Sequence, residues 1–117
     1  MNYSTRNVSG EQITILANTH FTSISLKVAK SIATSGVIKA GTVINVDGTV
    51  LANNAAASAI TKQVLGIVLY DVDVANEAGT NVVIPVLTHG TVKTSVAQGS
   101  TAYSSDVKAK LPQILFV

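Results

Sequence analysis

Few side chains in this sequence have the chemistry for catalysis or metal binding. Cysteine is absent, which removes thiolate nucleophiles, thiolate metal sites and disulfides together. Two histidines remain, His20 beside Phe21 and His89 within Thr88-His89-Gly90, together with Asp71 and Asp73, set two residues apart. Imidazole and carboxylate are metal ligands by chemistry. Their separations match no recognised ligand spacing, however, and His89 reads as a solvated or hydrogen-bonded turn histidine. Asp71 and Asp73 would share one side of a strand, as a general acid/base pair or a calcium site would require. No third carboxylate or glycine-spaced loop follows, so a solvated face is the simpler reading. No serine occupies a Gly-x-Ser-x-Gly elbow, and Gly36, Gly41 and Gly48 are separated by turns rather than gathered into a phosphate loop. These residues argue against an enzyme, and no catalytic, cofactor-binding or metal-binding residue is assigned.

Binding by the main chain is the better-supported chemistry. Residues 1–22 are rich in Ser, Thr and Asn, and Ile13 and Ile15 alternate with Gln12 and Thr14 as a strand does. Such a segment suits addition to the exposed edge of another protein's sheet, where backbone hydrogen bonds make the attachment. Ile13, Thr14 and Ile15 are the expected contact strand, with the Asp47-Gly48 and His89-Gly90 loops as further contact points. Residues 1–22 are thus read as an extended arm and 23–117 as the folded domain.

The elements that must position these residues are mostly strands. Ile24, Leu26 and Val28 alternate with Ser25, Lys27 and Ala29, predicting a half-buried strand. Ala33 to Gly36 and Ala40-Gly41 read as breaks. Asp47-Gly48, between Val43-Ile44-Asn45-Val46 and Thr49-Val50-Leu51, predicts a two-residue hairpin with both central residues at positive φ. Residues 52–63 are the helix-friendly stretch, with Asn53 or Asn54 as cap for Ala55 to Ile60. Val64 to Val74 reads as one central strand. Pro85 predicts an edge or bulge for Val82 to Leu87, since proline cannot donate to a ladder. Thr91 to Val96 reads as another strand, Ser104, Ser105 or Asp106 as the cap of a short helical turn that Pro112 ends, and the apolar 113–117 as a paired strand.

Composition agrees with this outline. The 117 residues include 17 Val, 10 Ile and 13 Thr, a third of the chain in β-branched types that favour pleated structure. The class is therefore mostly β: a small single domain, barrel-like or clip-like, with one or two short helical turns. Charged residues make up 12% and the net charge is +2, with Arg6, Lys27, Lys30, Lys39, Lys62, Lys93, Lys108 and Lys110 scattered. That pattern does not make a nucleic-acid footprint despite a pI of 9.1. Mean hydropathy is +0.43, yet the longest apolar run, Val64 to Tyr70, falls far short of the ~20 residues of a spanning helix. No secretory signal core is visible at the N-terminus, which leaves the sequons Asn2-Tyr3-Ser4 and Asn7-Val8-Ser9 without weight. High hydropathy with low charge points instead to a subunit that buries surface against neighbours.

The order of segments resembles a known family. A polar arm, then Ala40-Gly41-Thr42-Val43-Ile44 with its Asp47-Gly48 turn, then Val64 to Asp73, then Ile84 to Lys93 and an apolar ending are similar to tailed-phage head decoration proteins of the lambda type. The stretches GIVLYDVDV and VIPVLTHGTVK carry most of the likeness, which covers residues 35–117. The resemblance implies a virion protein made in the host cytoplasm and carried on the capsid exterior. It would be a homotrimer that bridges neighbouring major capsid subunits, with N-terminal arms pairing to capsid strands. The capsid-binding base of a head fibre is a related alternative. A small β-barrel module for a ligand or glycan, with Tyr70, Asp71 and Asp73 as its polar site, is the alternative from another class.

Overall fold

The computed structural model describes residues 15–18, 20–75 and 79–117. It is mostly β, with 39% strand against 15% helix, as the β-branched composition predicts. In chain order the strands are β1 (Thr22–Ala29), β2 (Val37–Ile38), β3 (Val43–Asn45), β4 (Val50–Leu51), β5 (Val64–Val68), β6 (Val72–Asp73) and β7 (Asn81–Val92). Two short helices follow, α1 (Thr94–Ala97) and α2 (Ser105–Ala109), before β8 (Ile114–Phe116). The main sheet runs β1-β7-β5-β3-β4 with antiparallel pairs, β8 lies parallel to the end of β7, and β2 and β6 form a separate ribbon.

Both faces of the main sheet are covered, because adjacent strand residues point to opposite faces. Val43 and Ile67 enter one core with Ile15, Leu87, Val92, Tyr103, Val107, Leu111 and Ile114, under the helices and the C-terminal strand. Their neighbours Ile44 and Val68 enter a second core with Val28, Ile38, Val74, Val82, Ile84 and Val86, under the β2–β6 ribbon. Each fully buried aliphatic side chain contributes roughly 1.5–3 kcal/mol. β7 serves both cores. Val82, Ile84 and Val86 face the ribbon side and Leu87, by alternation, the helical side; the register shift opposite Thr22/Ser23, which follows Leu87, then moves the phase so that the even-numbered Val92 also faces the helical side. The close approach of β5 to β7 requires Gly66, where a Cβ would lie 2.1 Å from the Leu87 carbonyl oxygen.

Several local expectations change in the folded chain. Pro85 sits in β7, between β1 and β5, not in an edge strand. Its carbonyl accepts from the Leu69 N–H (3.0 Å) just where the β5 ladder has ended at Val68. The nitrogen of the same residue faces the same way, so its missing donor falls beyond the ladder. Val64 to Val74 is not one strand: the chain leaves β5 after Val68 and re-pairs as β6 with β2. Thr88-His89-Gly90 is not a turn but part of β7, and the strand stops at Val92 rather than Val96 because α1 begins at Thr94.

The β3–β4 hairpin has a three-residue loop. Gly48 N–H donates to the Asn45 carbonyl and Asn45 N–H to the Thr49 carbonyl, and within the turn positive φ falls on Gly48 alone (91°). This is a turn closed by a glycine bulge, not a two-residue hairpin. Residues 52–63 form only a 3-10 turn at Ala57–Ala59, with no side-chain cap. Their polar groups are used elsewhere. The Asn53 side chain donates to the Gln98 and Thr101 carbonyls, the Ala55 carbonyl accepts from Ser104 Oγ (2.7 Å), and the Ala57 N–H donates to Asp106 (3.2 Å). Tertiary partners outweigh a marginal helix propensity. The expected α2 cap does form, with Ser104 Oγ accepting from Val107 N–H at 3.1 Å.

Candidate functional site

The folded body begins earlier than residue 23. Ile15 is 1% exposed in the helical-side core. Its carbonyl accepts from Lys93 N–H (2.7 Å), and Ala17 N–H donates to the Thr91 carbonyl (2.9 Å). On the other edge of β7, Gly90 N–H donates to the Gln113 carbonyl and the Val92 carbonyl accepts from Val117 N–H. Residues 90 and 92 thus face β8 while 91 and 93 face the N-terminal segment, as alternation along a strand requires. Ile15, expected as part of a free contact strand, is instead committed to this chain's own core. Ile13 and Thr14 lie outside the described residues.

On the edge of β7 opposite residues 15–17, β8 carries apolar surface outward. In β8, Ile114 is buried and Phe116 packs against the core, with its ring 5.2 Å from that of Tyr103. The alternate residues Leu115 and Val117 point out, 61% and 63% exposed. The Val117 carbonyl accepts from Thr94 N–H, one residue from the Lys93 N–H that holds Ile15. Sequence reading found the paired C-terminal strand but missed this convergence. The uniformly apolar run Ile114-Leu115-Phe116-Val117 carries no signal of which residues turn outward.

The other expected contact points divide. Asp47 is exposed, while Gly48 is buried with its backbone near Val28. Asp47 Oδ1 accepts from Thr49 Oγ1 (2.6 Å) and Thr49 N–H (3.1 Å), and Oδ2 meets Lys62 Nζ at 2.9 Å. The Thr49 hydroxyl first, and then the Lys62 ammonium, hold this carboxyl down at about 2. His89 is exposed. Gly90 is buried, and a Cβ there would stand 3.1 Å from Phe21 Cβ.

Asp71 ties two distant segments together, and Asp73 closes a local turn. Asp71 Oδ1 accepts from Ala40 N–H (2.7 Å) and Asp73 Oδ1 from Ala75 N–H (3.0 Å). The groove beside Asp71, about 490 Å³, is lined by Lys39, Thr42, Gln98 and backbone near Gly41, with no aromatic side chain among the described residues. Tyr70, named with these acids as a glycan-binding set, is half-buried against the core. The deeply buried phenol is Tyr103, whose hydroxyl donates to the Gly41 carbonyl (2.6 Å) and whose ionisation burial pushes well above the ordinary tyrosine range.

His20 and His89, remote in sequence, stand together with ring centres 6.5 Å apart. Among the described residues no three His, Asp or Glu side chains gather into one cluster, and no helix is long and apolar enough to cross a membrane. Compared with known families, curated proteins and solved structures, the chain finds no match.

Proposed function

We propose that this chain is a structural virion protein that decorates the outside of a tailed-phage capsid. It acts there as a trimer, bridging neighbouring major capsid subunits. The reading rests on the resemblance of residues 35–117 to lambda-type decoration proteins. The structural observation that best supports it is the convergence at the end of β7. There residues 15–17 hold one edge of β7, while β8, on its other edge, turns Leu115 and Val117 outward. A main-chain-rich segment together with an apolar surface suits docking on a larger protein: backbone pairing supplies attachment and apolar burial supplies affinity. Residues 1–14 are the proposed capsid-binding arm, shorter than the 22 residues the sequence pattern marks, because Ile15 belongs to the core. Three such arms on one trimer would make later contacts intramolecular and raise overall affinity by ~10²–10⁴.

The test is co-sedimentation with emptied, expanded phage capsids. Deletion of residues 1–13 is expected to leave a folded protein that no longer pellets with capsids, and L115S/V117S to pellet less. Full-strength binding by the deletion would refute the arm, and full-strength binding by all variants would refute this docking surface.

A further inference from the structure

The two histidines lie where β1 and β7 approach the C-terminal strand. His89 sits immediately past the register shift in β7, opposite Thr22, and His20 is two residues before that partner. Diagonal neighbours across an antiparallel pair stand within reach of long side chains, which accounts for the 6.5 Å between the rings. A bulge commonly re-aims the side chain beside it. Asn18 Oδ1 accepts from the His20 N–H at 3.0 Å and holds the backbone turn that presents the ring.

Both rings border an open groove of about 640 Å³, closed on its far side by Pro112, Gln113 and Leu115. Among the described residues its lining carries no lysine or arginine to repel a cation. Neither imidazole has a hydrogen bond to its ring nitrogens among the described residues, so no protein group there occupies the lone pairs a metal would use. Both residues are exposed.

We propose that His20 and His89 form a two-imidazole site for a borderline divalent transition cation, of the Ni²⁺, Cu²⁺ or Zn²⁺ class. Imidazole suits these ions, whereas carbonyl- and carboxylate-seeking Ca²⁺ and Mg²⁺ find no acidic ligand among the described residues of the groove. With metal–nitrogen bonds of roughly 2 Å, tetrahedral ligation by two imidazoles sets the ring centres about 5 Å apart. Rotation of the two exposed side chains supplies that approach. The remaining positions are open to water from the groove. This site is independent of the capsid reading.

Isothermal titration of the full chain with NiCl₂, and separately ZnCl₂, in a non-chelating buffer tests it, alongside H20A and H89A. One ion per chain is expected, with each single variant at least about tenfold weaker, since the second ligand acts intramolecularly. Affinity is also expected to fall on acidification, because a protonated imidazole cannot ligate. Amide NMR with substoichiometric Cu²⁺ should broaden residues near His20 and His89 and spare the β3–β4 hairpin. Unchanged melting temperatures would show that the variants remain folded. No binding at millimolar metal, or binding undiminished in either single variant, would overturn the site.

Discussion

Asp47 shows how much local order one exposed carboxylate can set. It accepts from both the hydroxyl and the N–H of Thr49 and pairs with Lys62, and these contacts hold its carboxyl at about 2, below its usual 3.8. A carboxyl lowered on folding adds stability that is fully present above its unfolded value and is lost as pH falls through the folded one. Thermal melts of Asp47→Asn against the parent should therefore differ at pH 6, and the difference should shrink steadily between pH 4 and pH 2. A difference that stays constant over that range would place the contribution in packing instead. The side-chain oxygen of Asn45, in the same hairpin, is buried with no partner among the described residues while its amide donates to Thr49 Oγ1.

The elements were legible in proportion to how local their causes are. The alternation that marks β1, the apolar C-terminal strand and the Ser104 cap each depend on neighbours in sequence, and all three appear in the fold. Residues 52–63 failed as a helix because Asn53, Ala55 and Ala57 bond to groups more than 40 positions away. Pro85 pointed to an edge because sequence shows that a donor is missing but not that the neighbouring ladder has already ended. His20 and His89 looked unrelated for the same reason: only the β1–β7 register brings them together. Ser104 ties these levels together, since its hydroxyl caps α2 and also donates to the Ala55 carbonyl. Ser104→Ala is expected to cost about 1–2 kcal/mol in chemical denaturation. Ser104→Asp, which keeps the cap acceptor but cannot donate to Ala55 when ionised, should recover only part of it. Full recovery by Asp would mean that the Ala55 bond contributes nothing.

Across the whole molecule, one 12-residue strand organises everything else. β7 pairs with β1 and β5, contributes to both cores from its two faces, and at its end holds the N-terminal segment on one edge and β8 on the other. The start of the described chain is thereby part of the fold. Ile15→Ala is expected to destabilise the protein by about 2–4 kcal/mol, whereas removal of residues 1–13 should leave the melting temperature nearly unchanged. Equal destabilisation by both changes would mean that the body extends further toward the N-terminus. The separation matters because the proposed role asks residues 1–14 to serve binding while Ile15 serves stability.

Binding of the intact protein to expanded phage capsids, followed by sedimentation with the bound mass determined, tests the proposed role most directly. Saturation at a fixed ratio is expected, in units of three chains of 12.0 kDa per capsid site. Absence of saturable binding, with the protein remaining a monomer in the presence of capsids, would contradict the decoration role.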